Sequence, residues 1–108
     1  MKTCDLYGFG NDDLEAAKLA VEQALGIRLA AHESLYFAGD YYRLGRLGEE
    51  HFILRRNIDP FDGEPAELEF PEVGVLLYVN ETERWRELEQ ILTTEIPGLL
   101  LLRRGELD

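Results

Sequence analysis

The stretch from Leu29 to Asn57 constrains the fold more than any other part of the chain. Its apolar residues return at every second position and are interrupted by glycine-containing turns. That is the pattern of short antiparallel strands with one buried face. Placing Gly39-Asp40 at the centre of a two-residue turn, where a leading glycine suits type II′, brings Phe37 opposite Tyr42, Leu35 opposite Leu44 and Glu33 opposite Arg46. The reverse side then carries Tyr36 opposite Arg43 and Ala38 opposite Tyr41, with His32 outward. "EEHFILRRN" (49–57) continues as a third strand. A three-residue loop, Leu47-Gly48-Glu49, sets Phe52 beside Leu44 and Leu54 beside Tyr42, whereas a slip of one would put Arg55 in the core. His51 falls beside this second turn. The expected product is a three-stranded meander with one greasy face and a second face of Tyr36, Tyr41, Arg43, Ile53 and Arg55.

The flanking segments supply helices to cover the greasy face. "CDLYGFG" (4–10) reads as a first strand ending at glycines. A helix is expected over 12–25, with Asp12 and Glu15 as a capping box or Asn11 as the cap. Leu14, Ala17, Val21 and Leu25 form its stripe, and Gly26 is its left-handed stop. "VGVLLYV" (73–79) is apolar without alternation, as in a strand buried on both sides. A second helix follows, with Asn80 and Glu83 as a capping box, Trp85, Leu88, Leu92 and Ile96 as its stripe, and Pro97-Gly98 as its end. "LLLLRR" (99–104) is the last strand. The last three elements suggest a β-α-β crossover with parallel neighbours. The order β-α-β-β-β-β-α-β predicts one α+β domain over 1–108. Its architecture is a two-layer sandwich, with a mixed, mostly antiparallel sheet of about six strands and both helices on one face. The length of 108 residues suits a single core.

One segment breaks this regularity. "DPFDGEPAELEFPE" (59–72) holds three prolines, one glycine, six acids and no base. It reads as an acidic loop, and loops of this length in compact domains are functional or mobile more often than filler. The whole chain carries 22 acids against 11 bases, a net charge of −11. That balance is repelled by nucleic acid and by anionic lipid. It serves either solubility or the steering of a basic protein partner. The N-terminus lacks a signal-peptide core and no apolar run reaches ~18 residues, so the expected location is cytoplasmic, without a membrane span.

The residues that carry chemistry are sparse. Cys4 is the single cysteine, read as a buried thiol, and it excludes a disulfide within the chain or a Cys-rich zinc site. His32 and His51 form no metal-binding pair. Asp59, Asp62 and Glu64 do not follow the spacing of a Ca²⁺ loop. Ser34 lacks a nucleophile elbow, and the acids at the first helix start argue against phosphate binding at "GFG". No metal, cofactor or catalytic residue is expected. The partner-binding candidates are Tyr36, Tyr41, Arg43 and Arg55 as anchors, because Tyr and Arg are enriched in interface hot spots. Asp59, Asp62, Glu64, Glu67 and Glu69 are candidate charge partners.

The segments "YFAGDYYRLG", "EHFILRRNID" and "ELEFPEVGVLLYVNETER" together resemble small immunity proteins of bacterial polymorphic-toxin and contact-dependent growth-inhibition systems. The shared features are the Gly-Asp-Tyr-Tyr hairpin, a strand ending in Asn and Asp, and an acidic turn leading to a buried strand and helix. The resemblance covers roughly residues 33–84. It implies a non-catalytic acidic protein that binds and neutralises one cognate basic toxin domain, often a nuclease, and it transfers no individual residue role. Two other functions stand beside it: a homodimeric regulatory or assembly domain joined through an open sheet edge or face, and an enzyme acting through carboxylates in a deep cleft.

Overall fold

The computed structural model describes residues 1–34 and 39–107, so the expectations for Leu35, Tyr36, Phe37 and Ala38 fall outside the described residues. The elements are β1 (Lys2–Phe9), α1 (Leu14–Leu25), β2 (Ala30–Ser34), β3 (Gly39–Leu44), β4 (His51–Arg56), β5 (Val75–Thr82), α2 (Trp85–Glu95) and β6 (Leu100–Leu107). The six strands form one sheet in the order β2-β3-β4-β5-β1-β6, and each pairing is antiparallel. The expected α+β architecture is present.

Both helices lie on the face that carries Tyr7, Phe9, Tyr42, Phe52, Leu54, Val75, Leu77 and Val79, and these residues share one core with Leu14, Val21, Leu88 and Leu92. The meander pairing of β3 with β4 matches the sequence expectation: Leu44 opposes Phe52 and Tyr42 opposes Leu54. Tyr42 is buried, and its hydroxyl donates to the Glu15 carboxylate on α1. That bond first, then burial, pushes the phenol up to about 12.

Four local expectations are corrected. Gly39-Asp40 is not the hairpin turn but the start of β3, with Glu33 opposite Asp40, Ala31 opposite Tyr42, His32 opposite Tyr41 and Ala30 opposite Arg43. Tyr42 thus faces a residue six positions earlier than Phe37. An even displacement leaves every side chain on its face, so the apolar alternation alone fits both registers. The parallel neighbours are also absent. β5 and β6 do run in the same direction, but β1 lies between them and is antiparallel to both, a split β-α-β arrangement. At α1 the cap is Asp13, whose carboxylate accepts from the Ala16 amide, while Gly26 ends the helix in the left-handed region as expected. At α2 the Asn80–Glu83 box does not form. Asn80 stays in β5 opposite His51, its amide against the His51 ring, and the helix starts after Arg84 without a side-chain cap.

Among the described residues no helix is long and apolar enough to cross a membrane.

Candidate protein-binding surface

The sheet face turned away from the helices is the one assigned to the Tyr/Arg candidates, and it is not bare. Residues 57–74 leave β4, fold back over this face as a strap, and re-enter the sheet at β5. Beneath the strap Leu6 and Leu76 are buried although no helix covers them. The strap lies so close that a Cβ on Gly8 of β1 would come within 2.9 Å of the Val73 side chain and 2.8 Å of Leu102. At the strap's end a Cβ on Gly74 would come within 2.6 Å of Asp12. At Gly74 the contact reaches the Asp12 backbone, so glycine is required there, whereas at Gly8 the Val73 and Leu102 side-chain ends would have to shift.

Asn57 pins the strap at its base. Its side-chain amide donates to the Phe70 and Val73 carbonyls at 2.9 and 2.8 Å, and its oxygen accepts from the Glu67 amide at 2.8 Å. Its own backbone amide donates to the Gly74 carbonyl. Asn57 is 6% exposed, so these bonds form where water competes poorly. The tip is a compact turn. Asp59 and Asp62 each accept, through a side-chain oxygen, from the amide two residues on, and the Asp59 amide donates to the Glu64 carbonyl.

Glu67 pins the middle. Its carboxylate accepts from the Tyr78 hydroxyl at 2.5 Å and from Arg103 at 3.0 Å. Burial works to raise the Glu67 pKa, but the hydrogen bonds from Tyr78 and Arg103 outweigh it and the net shift is downward. Tyr78 moves the other way, raised first by burial and then by Glu67. Arg55 lies under the same strap, 8% exposed, and donates to the Ile58 carbonyl at 2.9 Å. Burial pulls its pKa down, against the attraction of Tyr78, Glu67 and Asp59.

The nine candidate residues therefore separate. Arg55 and Glu67, expected to face outward, are turned into the seam between strap and sheet, because a lone sheet face bearing Leu6 and Leu76 needs a cover. Asp59 is half-buried beside them and uses its carboxylate in the turn. Asp62, Glu64 and Glu69 face outward, with Glu69 at 3.9 Å from Arg103. Tyr41 and Arg43 are half-buried on β3: Tyr41 stacks on His32 with ring centroids 5.4 Å apart, and Arg43 donates to the Gly45 carbonyl. Tyr36 is outside the described residues.

Several residues were not singled out by sequence reasoning. Asn57, Tyr78 and Arg103 hold the strap. Phe61 and Leu68 stand on it 76% and 72% exposed, next to outward Asp62, Glu64 and Glu69. Further along, Glu72 and Asp12 line a groove of about 530 Å³ where the strap meets the start of α1. One signal pointed to this arrangement. "VGVLLYV" reads as buried on both sides, yet two helices cover only one, so another segment had to cover the second.

Among the described residues no three His, Cys, Asp or Glu side chains converge as metal ligands. His51 is buried, with Nδ1 at 2.8 Å from the Glu49 carbonyl and Nε2 facing the Asn80 amide. These partners assign the proton to Nδ1. No protein-family model matches the chain, and the search of curated proteins returns no significant match.

Proposed function

We propose that this is a non-catalytic acidic binding protein, an immunity protein that binds and neutralises a cognate basic toxin domain in the cytoplasm. The observation that carries the proposal is the strap. It holds Asp62, Glu64, Glu69 and Glu72 outward with no base of its own, on a backbone fixed from beneath by Asn57 and Glu67. A preformed acidic surface raises the encounter rate with a basic partner and loses little freedom on binding. Co-expression with the product of the neighbouring gene tests the proposal. That product should be toxic alone, be neutralised by this chain, and co-purify with it, with association that slows as salt rises. A harmless neighbour, or one that this chain neither neutralises nor binds, removes the proposal.

A second reading, a homodimeric regulatory or assembly domain, is favoured by β6. This is an outermost strand of eight residues, and Leu100 on it is largely exposed. Sedimentation distinguishes the two. A tight dimer that persists at micromolar concentration supports the second reading, and a monomer supports the first.

A further inference from the structure

The binding proposal leaves open which part of the molecule anchors the partner. Two surfaces compete: the Tyr41/Arg43 end of the sheet and the outer side of the strap. On the sheet end both side chains are half-buried, Tyr41 stacked on His32 and Arg43 bonded to the Gly45 carbonyl. The strap differs. Its inner side chains are consumed by the fold, while Phe61 and Leu68 are carried outward at 76% and 72% exposure. Exposed apolar side chains are common on loops, but here the backbone under them is held. The turn bearing Phe61 is closed by Asp59 N–H to Glu64 O at 2.7 Å, and Leu68 follows directly on Glu67, whose amide is bonded to Asn57 at 2.8 Å. Apolar anchors on a fixed backbone cost little entropy to dock. Asp62, Glu64 and Glu69 stand outward beside them.

We infer that the outer side of the strap is the docking element, with Phe61 as the apolar anchor and Asp62, Glu64 and Glu69 as its charged rim. The occupant is a protein with a cationic face surrounding an apolar recess that receives the phenyl ring. Charge complementarity selects it, since a second copy of a chain with net charge −11 would set acid against acid. This inference rests on the binding proposal and adds the anchor, the rim and the shape of the partner.

The test uses the full chain and, as probe, the purified product of the neighbouring gene, with affinity measured by calorimetry at two salt concentrations. Phe61→Ser should weaken binding by about tenfold or more, the size of a hot-spot loss. Asp62→Lys with Glu69→Lys should slow association and flatten its salt dependence. Tyr41→Ala should bind as the wild type does. Far-ultraviolet circular dichroism of each variant should match the wild type, because these side chains leave the core untouched. If the wild type binds and Phe61→Ser binds equally well, the strap is not the anchor and the binding proposal survives. If Tyr41→Ala alone weakens binding, the sheet end is the anchor and the inference is overturned. If the wild type does not bind the probe, the binding proposal falls and takes this inference with it.

Discussion

Two successive residues of β6, Arg103 and Arg104, point to opposite faces of the sheet and each closes an ionic cluster. Arg104, on the helix side, grips Asp5 with two hydrogen bonds of 2.8 and 2.7 Å, reaches Glu89 of α2 at 2.9 Å, and lies 3.9 Å over the Trp85 ring. Arg103, on the strap side, meets Glu67 at 3.0 Å, and its side chain is half exposed. The two clusters use the same chemistry for different ends. The helix-side cluster fastens α2 to the sheet around an acid that is 2% exposed. The strap-side cluster fastens a loop whose other side stays in water. Burial separates an ion pair that serves only the fold from one that also presents a surface.

The comparison can be broken most severely on the helix side. Asp5→Ala removes both Asp5 hydrogen bonds from Arg104 and leaves it only Glu89 as an ionic partner, at about 1.5–3 kcal/mol for each hydrogen bond to a charged group. Thermal denaturation should show this loss, and the emission of Trp85, the single tryptophan, should shift. Asn57→Asp comes next. The carboxylate keeps the shape but would face the Phe70 and Val73 carbonyls without donors, at a cost of about 3 kcal/mol. Here Trp85 emission should stay unchanged while the strap opens. The same variant therefore separates the two faces.

Glu67→Gln keeps the size and removes the charge, and should cost about 1 kcal/mol in denaturant unfolding. The sign of its pH dependence follows from the downward shift. Because Glu67 has a lower pKa in the folded chain than its ordinary 4.5, its contribution is present above that value and is lost as pH falls through the folded-state pKa. Glu50, lowered mainly by its hydrogen bond from Arg84, adds in the same direction. Stability should therefore fall in acid, and the Glu67→Gln variant should lose less of it than the wild type. The smallest effect belongs to the hairpin. Glu33 and Asp40 oppose one another on exposed strand positions, so Glu33→Lys should raise stability by a few tenths of a kcal/mol. If the hairpin instead paired Glu33 with Arg46, the same change would lower it.

How much of this was legible in the sequence depended on the range of the interaction. Element order, the inward face of Tyr42, Phe52 and Leu54, and the β3–β4 register follow from alternation and a short turn, which are local signals. The β2–β3 register does not follow, because two even-spaced pairings leave the same faces buried and the Gly-Asp turn signal favoured the other one. The placement of β1 between β5 and β6 depends on contacts across nearly the whole chain, such as Asp5 with Arg104. The acidic segment was visible as a loop, but its return over the sheet depends on Asn57, Glu67 and Tyr78 meeting only after folding. Hence Arg55 and Glu67 were assigned outward although the fold turns them in.

The central claim is that the strap is fixed, so that Phe61 and its acidic neighbours form a prepared surface. Native-state amide hydrogen exchange at Glu67 tests it most directly, because that N–H is bonded to the Asn57 side chain rather than to any strand. Strong protection in the wild type, lost in Asn57→Asp while the α2 amides stay protected, is the predicted result. Exchange at the rate of an open chain in the wild type would contradict the claim.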